Sequence, residues 1–198
     1  MQNYRKLGFF LIPGKEMNRE LLDMKKYFKK FNNKQNFLNH FPHLTLFHGL
    51  YRRQEDVIER LKKEKDLITN IKDYKYKIQK QFIFEDDLEN GFSTLVYLVN
   101  NKNELQNFQE NLLNTFIPEA RSDFTKLNNE YKNDFLEKNY PFIGSKYIPH
   151  FTITNIEKLS NSEKEQFLNK SVTIFEKFKQ LVVGEIFDDE IKVLEKLW

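Results

Sequence analysis

Two short stretches of the chain carry residue types suited to acid–base chemistry. "PHLTL" covers residues 42–46 and "PHFTI" covers residues 149–153. Both read proline, histidine, apolar, threonine, apolar, and the chain has only 4 histidines in all. On an extended strand residues i and i+2 point to one face. His43 and Thr45 therefore share a face opposite Leu44 and Leu46, and His150 and Thr152 share a face opposite Phe151 and Ile153. Two imidazoles beside one phosphate can run proton transfer in both directions. A neutral ring takes the proton of water or of a ribose hydroxyl, and a protonated ring gives one to the leaving oxygen. Histidine suits both tasks because its unperturbed pKa lies near neutral pH. The threonine hydroxyls can hydrogen-bond the non-bridging phosphate oxygens. This chemistry needs no metal and no cofactor, and none is expected.

Extending the alternation adds candidates around the two motifs. Phe47 falls two residues past Thr45 and is a candidate for stacking on a base, and Thr154 falls two residues past Thr152. His48 lies at odd spacing from His43 and is expected to face the other way, while His40 precedes Pro42 in a loop. A cluster of three histidine ligands is therefore not expected. Arg121, Tyr140, Lys146 and Tyr147 stand in the segment leading to the second motif and are candidates for phosphate, ribose or base contacts. Arg52 and Arg53 read as a solvated helix start. Asp86, Asp87 and Glu89 read as turn residues.

The elements that must position these residues follow from the hydrophobic pattern. Strands are expected over residues 6–12, 43–50, 74–84, 93–99, 147–155, 179–187 and 191–197. Helices are expected over 17–31, 54–68, 104–116 and 160–178, the last with Ser160 and Glu163 as a capping box. Turns are read at 32–36, 85–91 and 188–189. The order strand, helix, His-x-Thr strand, helix, strand occurs twice, with halves at about 1–90 and 91–198, as in an internal duplication. The second copy carries a long additional segment at about 117–146, rich in Phe, Tyr and Leu. Connections of that length are usually functional, so the segment is expected to act as a lid that sets substrate choice. The fold class is α+β: a single bilobal, pseudo-duplicated domain with two antiparallel sheets lining a central cleft and helices outside.

Bulk properties narrow the function classes. A chain of 198 residues that is 39% hydrophobic and 31% charged can bury one sizeable core. Its formal net charge of +3 permits a phosphate-bearing ligand but falls short of a general nucleic-acid binder. With 0 cysteines, disulfides, zinc-thiolate sites and cysteine nucleophiles are excluded, which fits a cytoplasmic setting. No apolar run is long enough to span a membrane, and the opening "LGFFLIP" reads as a first strand rather than a leader. A monomer is expected.

The paired motifs resemble those of the two-histidine phosphoesterase superfamily, which includes the 2′-5′ RNA ligase and cyclic phosphodiesterase group. "PHLTL" and "PHFTI" carry the resemblance, with weaker support from "LGFFLIP" and from "GFSTLVYLV" at 91–99. It implies two α+β lobes around a positively charged cleft, with His43, Thr45, His150 and Thr152 as the catalytic set. It also implies metal-independent hydrolysis of a 2′,3′-cyclic phosphate, a 2′-5′ linkage or a cyclic or signalling oligonucleotide, with nucleotide or RNA as the partner. Two alternatives remain open: RNA end processing or 2′-5′ ligation by the reverse reaction, and a nucleotide- or RNA-binding module with little turnover.

Overall fold

The structure is a computed structural model. It describes the chain apart from residues 1–3, 31–36, 86–91, 123, 125–126, 128, 157–159 and 188–189. The turns read at 32–36 and 188–189, and nearly all of that at 85–91, lie outside the described residues.

The chain runs β1 (Arg5–Ile12), α1 (Lys15–Lys29), β2 (Leu44–Tyr51), α2 (Gln54–Lys63), α3 (Lys65–Lys72), β3 (Lys75–Phe84) and β4 (Ser93–Val99). It continues with α4 (Asn103–Thr115), α5 (Asn129–Lys138), a short 3₁₀ turn at Gly144–Lys146, β5 (His150–Ile156), α6 (Asn161–Leu168), β6 (Ile174–Lys177), β7 (Gln180–Phe187) and β8 (Glu190–Lys196). Two expected helices change. The helix expected over 54–68 divides into α2 and α3 at Glu64, whose backbone leaves the helical region at φ −86° and ψ 48°. The helix expected over 160–178 stops at Leu168, although its capping box forms as read. After it the β-branched and aromatic run Val172, Thr173, Ile174, Phe175 favours extension, and β6 pairs with β3.

The eight strands among the described residues form one antiparallel sheet in the order β6-β3-β4-β5-β2-β1-β7-β8. The expectation of two separate sheets is thus corrected, and the reason lies at the join. β2 and β5, the two motif strands, are direct neighbours, but they share a single register pair, Leu44 with Phe151. The division into halves at about residue 90 does not hold for the strands either. β3, from the first half, pairs with β4 and β6, whereas β7, from the second, pairs with β1. Each half therefore extends the sheet on the side of the other half's motif.

One face of the sheet packs on the helices. Met17, Leu21, Met24 and Phe28 of α1 recur at helical spacing and join Leu11, Leu44, Leu95, Tyr97, Phe151 and Ile153 in the core. Each such side chain is worth roughly 1.5–3 kcal/mol on burial. The opposite face, together with the chain around α5, lines a cavity of about 430 Å³.

Candidate active site

The cavity receives His43 and Thr45 from the first motif and His150 and Thr152 from the second. The register at the join explains why the four side chains meet. Leu44 opposite Phe151 sends both of those residues to the core. Their neighbours His43, Thr45, His150 and Thr152 fall on the other face, where all four line the cavity. His43 and His150 are near enough for the charge of His150 to act on His43.

Both rings are oriented in the same way. His43 Nδ1 lies 2.7 Å from the carbonyl oxygen of Phe41, and His150 Nδ1 lies 2.7 Å from that of Ile148. In each case the carbonyl belongs to the residue before the proline of the motif. A carbonyl oxygen only accepts, so each Nδ1 carries the hydrogen and donates it. Nε2 is then the nitrogen left to exchange a proton. A phenylalanine edge supports each ring, Phe10 at 4.8 Å from His43 and Phe84 at 5.1 Å from His150, centroid to centroid. Phe10 lies over Gly8, where an added Cβ would come within 2.2 Å of the ring. Burial pulls the His43 pKa down from 6.5 to about 3, against the opposing pull of the Phe41 carbonyl, with smaller contributions from the positive charges of Lys25, His40 and His150. By surface exposure the ring is only half-buried and borders an open cavity, so solvent tempers the shift without reversing its direction. His43 is neutral at neutral pH.

Both motif strands carry a β-bulge just past the threonine. Against β1 the register steps from Phe10–Thr45 to Phe9–Phe47, leaving Leu46 extra. Against β4 it steps from Val96–Thr152 to Leu95–Thr154, leaving Ile153 extra. A bulge reverses the alternation beyond it. Phe47 and Thr154, expected in the cleft, consequently turn away from it and are fully buried. Phe47 stacks on Phe9 at 4.5 Å, and the Thr154 hydroxyl donates to the Asn155 carbonyl. The same step brings His48 round to the cavity, contrary to the expectation that it faces away from His43. His40 lines the cavity as well, its ring 6.0 Å from that of His43, so all 4 histidines of the chain border one space. Even so, no group of three potential metal ligands occurs among the described residues.

The segment at 117–146 forms much of one wall. Tyr140 and Lys146 line the cavity, as does Tyr147 just beyond. Tyr131 and Phe142 do so too and were not foreseen. Tyr140 meets the His48 ring edge-on at 5.6 Å. The Tyr147 hydroxyl donates to the Thr45 carbonyl at 2.7 Å and so ties the approach to one motif to the strand of the other. Lys146 is paired with Asp134 at 2.6 Å and also donates to the Glu130 carbonyl, which fixes α5 over the 3₁₀ turn. Its charge is largely committed there. Arg121 is not a cavity residue: it donates to the Leu136 carbonyl at 3.1 Å and lies over the Phe135 ring, holding α5 from outside.

Thr94 and Lys25 are among the cavity residues that the pattern reading did not name. Thr94 is buried, and its hydroxyl has no hydrogen-bond partner among the described residues. Lys25 is buried on α1 and reaches the same space. Its signal was present in the sequence. Leu21, Met24, Lys25 and Phe28 stand at i, i+3, i+4 and i+7, so a lysine interrupts an apolar stripe.

No family model matches the chain, and no curated protein matches it. Among solved structures, the crystal structure of TT0787 of Thermus thermophilus is similar over 97% of this chain and 96% of that one, with a TM-score of 0.57 and 12% sequence identity. The two chains share a fold over nearly their whole lengths.

Proposed function

We propose that this chain is a metal-independent phosphodiesterase of the two-histidine type. Its substrate is a 2′,3′-cyclic phosphate, a 2′-5′ linkage or a cyclic or signalling oligonucleotide. The observation that carries the reading is the convergence of both His-x-Thr motifs on one cavity, with both rings turned the same way by backbone carbonyls. Carbonyl-bound Nδ1–H groups would also suit metal ligands, but no group of three potential metal ligands occurs among the described residues, and the two matching hydroxyls suit phosphate oxygens.

In this reading His43, neutral in the empty site, is the base. Its Nε2 removes the proton of the attacking water or ribose hydroxyl as the new oxygen–phosphorus bond forms. His150 gives the proton of its Nε2 to the oxygen that leaves. Thr45 and Thr152 hydrogen-bond the non-bridging oxygens and hold the phosphorus in line between the rings. The phosphate's negative charge counteracts the burial of His43 and raises its pKa toward the working range, so the base gains strength when substrate is bound.

The test is a substrate panel in EDTA: 2′,3′-cyclic nucleotides, 2′-5′ oligoadenylates, 3′-5′ cyclic dinucleotides and RNA ending in a cyclic phosphate, with products separated by chromatography. Turnover of at least one, with a new phosphate monoester in the product, supports the reading. Tight binding without turnover across the panel would replace it with a nucleotide-binding module.

A further inference from the structure

Lys25 is the one charged residue buried on the inward stripe of α1, among Leu21, Met24 and Phe28. It lines the cavity with His43 and acts on it through its charge. Its ammonium has three donors, and one of them goes to the carbonyl of Phe37, a residue held at φ 66°. Among the described residues no carboxylate pairs with it. An ammonium buried against a single neutral acceptor is unfavourable, and folded proteins normally supply a counter-charge. Among the described surroundings, the cavity is the space that can admit a counter-charge.

We propose that Lys25 is a substrate-binding residue that pairs with the phosphoryl group of the ligand. This proposal rests on the phosphodiesterase reading for the identity of the anion, but the anion site itself does not require turnover. Other groups in the cavity are less suited to the task. Lys146 is already paired with Asp134, Glu85, an acidic member of the lining, is paired with Lys164, and Lys6 on β1 is only half-buried, so water can meet its charge. Lys25 brings a charge from the helix layer into the cavity that the motif residues line, where it acts on His43. Its pKa is lowered by burial to about 8, so it is charged at neutral pH, and an arriving phosphate stabilises that charge. One buried cation then does two things: it attracts the anion, and it helps keep His43 unprotonated until the anion arrives.

The experiment compares wild type with Lys25→Met and Lys25→Gln. Three quantities are read: the affinity for inorganic phosphate and for adenosine 2′-monophosphate by calorimetry, the thermal midpoint, and the His43 titration by nitrogen-15 NMR. Loss of a hydrogen bond to a charged group predicts roughly 10- to 100-fold weaker binding of both anions in both variants. The thermal midpoint should be unchanged or higher, because an uncompensated buried charge has been removed. The His43 pKa in the empty site should rise. A purely structural lysine would do the reverse, lowering the midpoint and leaving the affinity intact, and that result would overturn the proposal. Unchanged affinity in Lys25→Gln would overturn it even if Lys25→Met failed to fold. The two readings separate cleanly. If wild type turns over a panel substrate and both variants bind phosphate normally, only the lysine proposal fails. If nothing is turned over and both variants lose phosphate, only the phosphodiesterase reading fails.

Discussion

Replacing His43 by glutamine should flatten the acid side of the protein's stability profile. In the unfolded chain this histidine protonates near pH 6.5, whereas in the folded state it holds off until about 3. Between those values the unfolded state binds the extra proton, so folding stability falls as pH falls through that window and is fully recovered above it. Each pH unit inside the window is worth about 1.4 kcal/mol. Between about pH 7.5 and about pH 5 wild type should therefore lose about 1–2 kcal/mol through this residue, the smaller figure allowing for water that reaches a half-buried ring in an open cavity. The other three histidines are present in both proteins, and the charges of His40 and His150 act on His43 only as minor contributions beside its burial. Urea unfolding of wild type and His43→Gln at the two pH values, followed by the fluorescence of the single tryptophan, Trp198, isolates the difference. Equal losses in the two proteins would mean that His43 is not held neutral by burial, and the assignment of His43 as base would lose its support.

Three other outcomes follow from the same geometry. His43→Ala or His150→Ala should lower turnover by roughly 10²–10⁴-fold with binding less affected, as read from kcat and Kd on the best panel substrate. Thr152→Val should cost about 1.5–3 kcal/mol of transition-state stabilisation, while Thr154→Val, behind the bulge, should leave kcat/KM unchanged. Tyr147→Phe strips the Thr45 carbonyl of a buried donor and should lower unfolding stability by about 1 kcal/mol, measured in urea, together with a fall in kcat as Thr45 loses its anchor.

Much of the site was legible because it depends on the most regular feature of a strand. The spacing of His43 and Thr45, and of His150 and Thr152, fixes a shared face over two residues, and no later irregularity intervenes between them. Phe47, Thr154 and His48 were misplaced for one reason. Leu46 and Ile153 are apolar residues in apolar runs, and nothing in their type marks them as the extra residue of a bulge. The single pair joining β2 to β5, and the crossing of β3 and β7 to opposite sides of the sheet, depend on strand order. Local periodicity does not encode that. Arg121 and Lys146 show a different limit. Their charges suggested a ligand, but α5 supplies partners to both, and only packing reveals which cation is already occupied. Lys25 was readable as a lysine on an apolar stripe, yet the stripe alone does not say what it reaches.

The central claim is that two histidines move protons at phosphorus without a metal. The most direct measurement is kcat against pH for the best panel substrate, in EDTA, for wild type. A bell-shaped profile is predicted, its acid limb set by the ring that must be neutral and its alkaline limb by the ring that must be protonated. A rate that vanishes in EDTA, returns with added zinc or manganese and climbs with pH along one limb would contradict the account.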